Sequence, residues 1–125
     1  MELQSKNFLL PSTQVVSFLK RDVSVPNSYD IVSYIDTSIH KTFSVFIKNK
    51  TANACSVKVE IADVDENGNE IGWTEYIAPQ TVPANGTLFL ENKTCMTKRT
   101  RLQAQNNVSG NIAVLDIFVR LSPYF

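Results

Sequence analysis

Apolar and polar side chains alternate one for one through much of this chain, the spacing of strands whose two faces meet different surroundings. Between Thr42 and Asn49, Phe43, Val45 and Ile47 fall on one side, and Ser44, Phe46 and Lys48 on the other. Cys55, Val57, Val59 and Ile61 share a face opposite Ser56, Lys58 and Glu60, which predicts a half-buried strand over 55–62. Arg99, Arg101 and Gln103 alternate with Thr100, Leu102 and Ala104, and Leu88 and Leu90 flank Phe89. Over 111–121, Ala113, Leu115, Ile117, Val119 and Leu121 line one face. Ile112, Val114 and Phe118 are apolar on the other face, which predicts a central strand covered on both sides. Further strands are expected over 14–25, 31–35 and 71–77. Only 12–20 fits a helix and a strand equally well.

Turn-forming pairs separate these runs: Pro26-Asn27-Ser28, Asn67-Gly68, Pro79, Pro83, Asn85-Gly86 and Ser109-Gly110. Some eight short strands at this spacing predict an all-β fold, an antiparallel two-sheet β-sandwich of immunoglobulin-like or jelly-roll type. The predicted core holds Phe43, Val45, Ile47, Val57, Val59, Ile61, Leu115, Ile117 and Val119. Residues 1–13 are expected as an extended N-terminal arm ahead of one sandwich domain over 14–125. The arm carries three large apolar residues, Phe8, Leu9 and Leu10, followed by Pro11, and the chain closes on Tyr124-Phe125. Proline holds the residue before it extended, so the arm is expected as a strap rather than a helix. These six residues are the candidate partner interface.

Composition narrows the function classes. The 125 residues are 43% hydrophobic and 19% charged, with four Gly and five Pro, which excludes collagen-like, coiled-coil and disordered chains. Twelve basic residues balance twelve acidic ones, so the surplus expected of a general nucleic-acid binder is missing. A neutral chain also has little self-repulsion to keep copies apart. No run has the length of a signal-peptide core or of a membrane span, so neither an export signal nor a membrane anchor is expected.

Candidate chemistry is sparse. His40 is the single histidine and lies in a polar stretch, where a surface position is expected rather than a catalytic one. No nucleophile elbow, zinc-protease helix motif, phosphate loop or dinucleotide fingerprint occurs. Cys55 and Cys95 lack metal-ligand spacing and are expected as buried or half-buried thiols, with a bridge or cross-links between copies as alternatives. Asp63-Val64-Asp65-Glu66-Asn67-Gly68 resembles the start of a calcium loop. Thr74 stands where the closing Glu belongs, so a hairpin in which Asn67-Gly68 supplies positive φ angles is expected instead. Lys93, Lys98, Arg99 and Arg101 form one basic cluster, and Trp73, Tyr76, Tyr29, Tyr34 and Tyr124 offer the parts of a sugar-stacking platform. The sequons at Asn49, Asn85, Asn92 and Asn107 suit a chain rich in Asn, Ser and Thr. No catalytic residue, cofactor or metal site is expected.

The succession "TFSVFIKN", "ANACSVKVEIAD", "DENGNEIGW", "TVPANGT", "RTRLQAQN" and "GNIAVLDIFV" resembles small β-sandwich domains of uncharacterised function in Firmicutes and their phages. The matching positions are Asn49, Ala54, Val57, Val59, Ile61, Trp73, Val82 to Thr87, Arg101 and Ile112 to Val119, within residues 42–121. The resemblance implies a fold and no activity, since no catalytic set belongs to it. The same layout recurs in phage decoration and tail modules and in bacterial surface filaments.

Three functional readings follow. The first is a non-enzymatic structural subunit of a bacteriophage virion, bound to its own copies or to other virion proteins. The second is a subunit of a bacterial surface or spore filament assembled by donating the N-terminal arm. The third is a carbohydrate-binding module.

Overall fold

The computed structural model describes residues 15–123. Phe8, Leu9, Leu10, Pro11, Tyr124 and Phe125 therefore lie outside the described residues, as does the arm over 1–13. Eight strands run in the order β1 (Val16–Ser24), β2 (Asp30–Asp36), β3 (Thr42–Asn49), β4 (Cys55–Val64), β5 (Glu70–Val82), β6 (Thr87–Thr94), β7 (Arg99–Asn106) and β8 (Val114–Ser122). They build two four-stranded antiparallel sheets, ordered β1-β8-β3-β6 and β2-β7-β4-β5.

The connectivity separates the two expected sandwich types. The pairs β1·β8, β2·β7, β3·β6 and β4·β5 are nested, as if one long hairpin were wrapped around a barrel axis. Only β4 and β5 are successive strands in one sheet; every other connection crosses between sheets. That is the jelly-roll arrangement, not the immunoglobulin one.

The alternation explains the core. Phe43, Val45 and Ile47 of β3 and Leu115, Ile117 and Val119 of β8 are sealed against Val57 and Val59 of β4 and Leu102 and Ala104 of β7. Two sequence expectations fail here. Ile61 is half-buried and Ala62 is buried, so the alternation of β4 breaks after Val59, although β4 stays in unbroken register with β7 and the extra residues that shift the β4–β5 register all lie on β5. An extra residue bends and twists the strand that carries it, here the edge strand β5. Strand β8 is central, between β1 and β3, but its outer face is not covered: Val114 and Phe118 remain half-exposed and Ile112 is exposed.

Buried polar groups tie the strand ends together. The Asn106 amide donates to the Val25 carbonyl at 2.8 Å and to Asn27 Oδ1 at 2.9 Å, and its oxygen accepts the Ala113 N–H at 2.9 Å. Asn49 is likewise buried, donating to the Asn53 carbonyl and accepting from the Thr51 N–H and hydroxyl, so this sequon has a structural duty. His40 corrects the surface expectation: only 6% of it is exposed, and neither ring nitrogen has a partner among the described residues. The loop before β3 is folded under by hydrogen bonds from Lys41 N–H to the Ser122 carbonyl and from Cys95 N–H to the Lys41 carbonyl.

The segment that resembles a calcium loop is the β4–β5 hairpin. The Gly68 N–H bonds the Asp65 carbonyl, and Gly68 alone takes a positive φ, 81°, so the turn is a type I turn with a following bulge rather than one with positive φ at both Asn67 and Gly68. The Asp65 carboxylate accepts the N–H groups of Asn69 and Asn67, which hold its pKa below the ordinary value. Among the described residues no group of three or more His, Cys, Asp or Glu side chains is arranged to hold a metal ion.

Candidate functional site

A jelly roll leaves two outward faces, and they differ in chemistry. On the β2-β7-β4-β5 sheet the outer side chains satisfy one another. Arg101 Nε and Nη2 both reach Glu60 Oε1, at 2.9 and 2.6 Å. The Arg101 guanidinium lies 4.0 Å from the centre of the Trp73 ring, and Tyr34 meets Trp73 edge-on with centroids 6.0 Å apart. Lys58 approaches Glu60 Oε2 at 3.7 Å and lies over the Tyr29 ring at 4.6 Å. Arg99 pairs with Asp36 at 3.3 Å.

These contacts decide two expectations. The basic cluster is divided: Arg99 and Arg101 are bound to carboxylates, and Lys93 lies on β6 in the other sheet. The aromatic platform is divided as well. Trp73 and Tyr34 do meet, but a guanidinium covers one face of the indole, and Tyr76 packs inward against Phe43 with centroids 6.5 Å apart. The Arg101–Glu60 pair is largely shielded, with 18% and 15% of the side chains exposed. Replacing Glu60 with Gln is expected to cost about 1–3 kcal/mol in urea unfolding, because Arg101 then keeps its charge in a half-buried place with a weaker acceptor.

The β1-β8-β3-β6 sheet is different. Leu19 stands opposite Phe118, Phe118 opposite Phe46, and Phe46 opposite Phe89. One apolar side chain from each strand thus forms a continuous row across the outer face. Leu19 is 44% exposed, Phe46 43% and Phe89 53%, while Phe118 is half-exposed. The Phe46 and Phe89 rings sit 5.9 Å apart at 54°, and a shallow hollow opens between Phe46, Phe89, Phe118, Ser44 and Arg120. Sequence reading puts Phe46 on the face opposite the core residues of its strand and expects Phe118 on a covered face, and it joins neither to Phe89, since only strand register aligns the three. Scattered apolar side chains on a surface are ordinary, whereas a contiguous apolar stripe with polar rims marks a contact surface.

Charged residues edge this row. Asp116 accepts the Asp22 N–H at 3.0 Å and pairs with Lys50 at 3.0 Å, and Lys50 also pairs with Asp22. The Asp22 N–H, then Lys50 and Arg21, hold the Asp116 carboxyl below the ordinary carboxylate value. A carboxyl with a lowered folded-state pKa stabilises fully above its unfolded pKa, and this contribution is lost as pH falls through the folded value. Melting temperature is therefore expected to drop on acidification below about pH 4, and Asp116→Asn to flatten that drop, in thermal melts between about pH 6 and pH 2.

The sheet edges are protected. Strand β1 is bulged between Lys20 and Val23, with Asp22 at φ 56°, and Lys20 points into the sandwich to donate to the Val32 carbonyl at 2.7 Å. Strand β2 shifts register between Ile31 and Ser33, β5 carries Pro79 and three register shifts against β4, and β6 shifts beside Asn92, whose φ is 48°. Bulges, inward charges and proline all oppose edge-to-edge pairing.

Both thiols are free. Cys55 is buried and Cys95 half-buried, as expected for thiols without a metal or bridge, and burial pushes both up to about 11, which keeps them protonated and unreactive near neutrality. Among the described residues no helix is long and apolar enough to cross a membrane.

No protein-family model matches the chain, and no curated protein matches it. The crystal structure of PirA is similar in fold, with a TM-score of 0.51 at 15% identity over 90% of this chain and 99% of that one. A structure from Bacillus endospore appendages, described as disulfide-linked pili, aligns with a TM-score of 0.42 at 8% identity over 96% of this chain and 98% of the other. One from the Gx strain of infectious bursal disease virus aligns with a TM-score of 0.48 at 10% identity over 88% of this chain and 34% of the other. The likeness to PirA is one of fold alone, and the two weaker alignments add no functional argument.

Proposed function

We propose that this chain is a non-enzymatic structural subunit that works by assembling with its own copies or with other structural proteins. The observation that carries the reading is the apolar row Leu19–Phe118–Phe46–Phe89 across the outer face of one sheet. A side chain of this size gains about 1.5–3 kcal/mol on full burial, so four in a row favour a covered state. The particle proposed is a bacteriophage virion, with the chain as a decoration, head–tail or tail accessory protein. Support for that choice is the sequence resemblance over residues 42–121. Residues Phe8, Leu9, Leu10, Pro11, Tyr124 and Phe125 are proposed as further contacts to the neighbouring subunit.

The filament reading needs a neighbour's arm to add to a free sheet edge. Bulges at every edge strand, the inward Lys20 and Pro79 make such addition unfavourable, which supports assembly through a face. The sugar-binding reading loses support where Arg101 covers the indole of Trp73.

Negative-stain imaging with sedimentation of the pure full-length chain tests the proposal. Discrete small assemblies, or particle-bound protein when phage particles are added, are expected. Long filaments from the pure chain would favour the filament reading instead. A monomer that binds no particle and saturates on a glycan array would contradict the structural role.

A further inference from the structure

We infer that the outer face of the β1-β8-β3-β6 sheet docks onto the same face of a second copy, about a two-fold axis parallel to the strands and running between β8 and β3. The inference rests on the structural-subunit reading and specifies the contact.

Such an axis exchanges β8 with β3 and β1 with β6. The row Leu19–Phe118–Phe46–Phe89 then meets its own reverse: Phe118 faces Phe46 of the second copy, and Leu19 faces Phe89. A ring from one copy has the hollow between Phe46, Phe89 and Phe118 to enter. Both rims are complementary to themselves. On one side, Asp116 and Lys48 are neighbours in register, so the axis places each Asp116 over a Lys48. On the other side, Arg120 stands opposite Ser44, and Ser44 accepts the Asn92 N–H at 2.9 Å, which puts Glu91 next in the row. Arg120 and Glu91 of one chain are two strands apart, about 10 Å, too far for a direct pair. Across the axis, Arg120 sits over Ser44 with Glu91 of the second copy beside it.

The area is sufficient. Four strands at ~4.8 Å spacing and about eight residues of ~3.3 Å each give a face of roughly 500 Å², so two copies bury about 1,000 Å². That is the lower bound for a specific interface. The net charge of zero adds no long-range repulsion between copies.

Sedimentation velocity of the full chain tests this with a charge-reversal cycle. The wild type is expected to sediment at twice the 14.0 kDa chain mass. Arg120→Glu and Glu91→Arg are each expected to weaken the dimer by about tenfold or more, and the double reversal to restore it within about threefold. Single effects that simply add in the double variant would overturn the two-fold docking. Assembly that survives both the reversals and Phe46→Asp would overturn the face while leaving the structural-subunit reading standing. A monomer at every concentration would overturn the docking, and the structural-subunit reading would then rest on particle binding alone. A monomer that dimerises only after Phe8, Leu9 and Leu10 are changed to Ser would show that the chain's own N-terminal segment covers the face, and the inference would fail.

Discussion

Phe46→Asp is expected to weaken assembly at least about 100-fold while leaving the fold in place. Burial of a phenylalanine is worth about 1.5–3 kcal/mol, and a two-fold contact loses it in both copies. At about 1.4 kcal/mol per factor of ten, and with 43% of Phe46 left to bury, that loss is about one to two orders of magnitude, and the cost of desolvating two carboxylates adds to it. Folding is touched less, because Phe46 is 43% exposed and points away from the core. Its cross-strand contacts with Phe89 and Phe118 are worth roughly 0.2–1 kcal/mol each. Sedimentation and thermal melts on the same sample separate the two effects. Ile71→Asp serves as the control: Ile71 is 52% exposed on β5 in the other sheet, and its replacement is expected to leave assembly unchanged.

Phe43→Ala is expected to do the reverse. Phe43 is fully buried between the sheets, beside Tyr76 and in register with Leu121. Truncating a buried phenylalanine removes its transfer energy and leaves a cavity, at a cost of about 3–5 kcal/mol. Whole domains are stable by about 5–15 kcal/mol, so this one change removes a large share. The melting temperature is expected to fall by roughly 10–20 °C. A change below about 1 kcal/mol in urea unfolding would mean that the inner face of β3 has been misassigned. Phe43 and Phe46 are three residues apart on one strand, and the opposite outcomes of the two variants follow from the faces they occupy.

Much of the fold was legible because burial in a sandwich is written in the period of two. β3 spans Thr42–Asn49 as the alternation predicts, and Thr100, Leu102 and Ala104 point inward from β7 opposite Arg99, Arg101 and Gln103. The errors arise where the period breaks or where distant segments meet. Counting by twos puts Ile61 inside, but the alternation of β4 breaks after Val59, and Ala62 is buried instead. His40 reads as exposed from its polar neighbours, yet hydrogen bonds from Lys41 to Ser122 and from Cys95 to Lys41 fold its loop under strands far away in sequence. The choice between sandwich types was not legible, because it depends on which strands pair and not on how each strand is patterned. The apolar row has the same origin. Leu19, Phe46, Phe89 and Phe118 are ordinary outward residues one by one, and only the register of four strands makes them a surface.

Hydroxyl-radical footprinting of the full chain, read residue by residue at high and low protein concentration, tests the central claim most directly. If the apolar row is the assembly surface, Phe46, Phe89 and Phe118 should be oxidised much less in the assembled sample than in the dilute one. Trp73 and Tyr34, on the opposite sheet, should be oxidised equally in both. Protection of Trp73 and Tyr34 with unchanged oxidation of the three phenylalanines would place the contact on the other face and contradict the account.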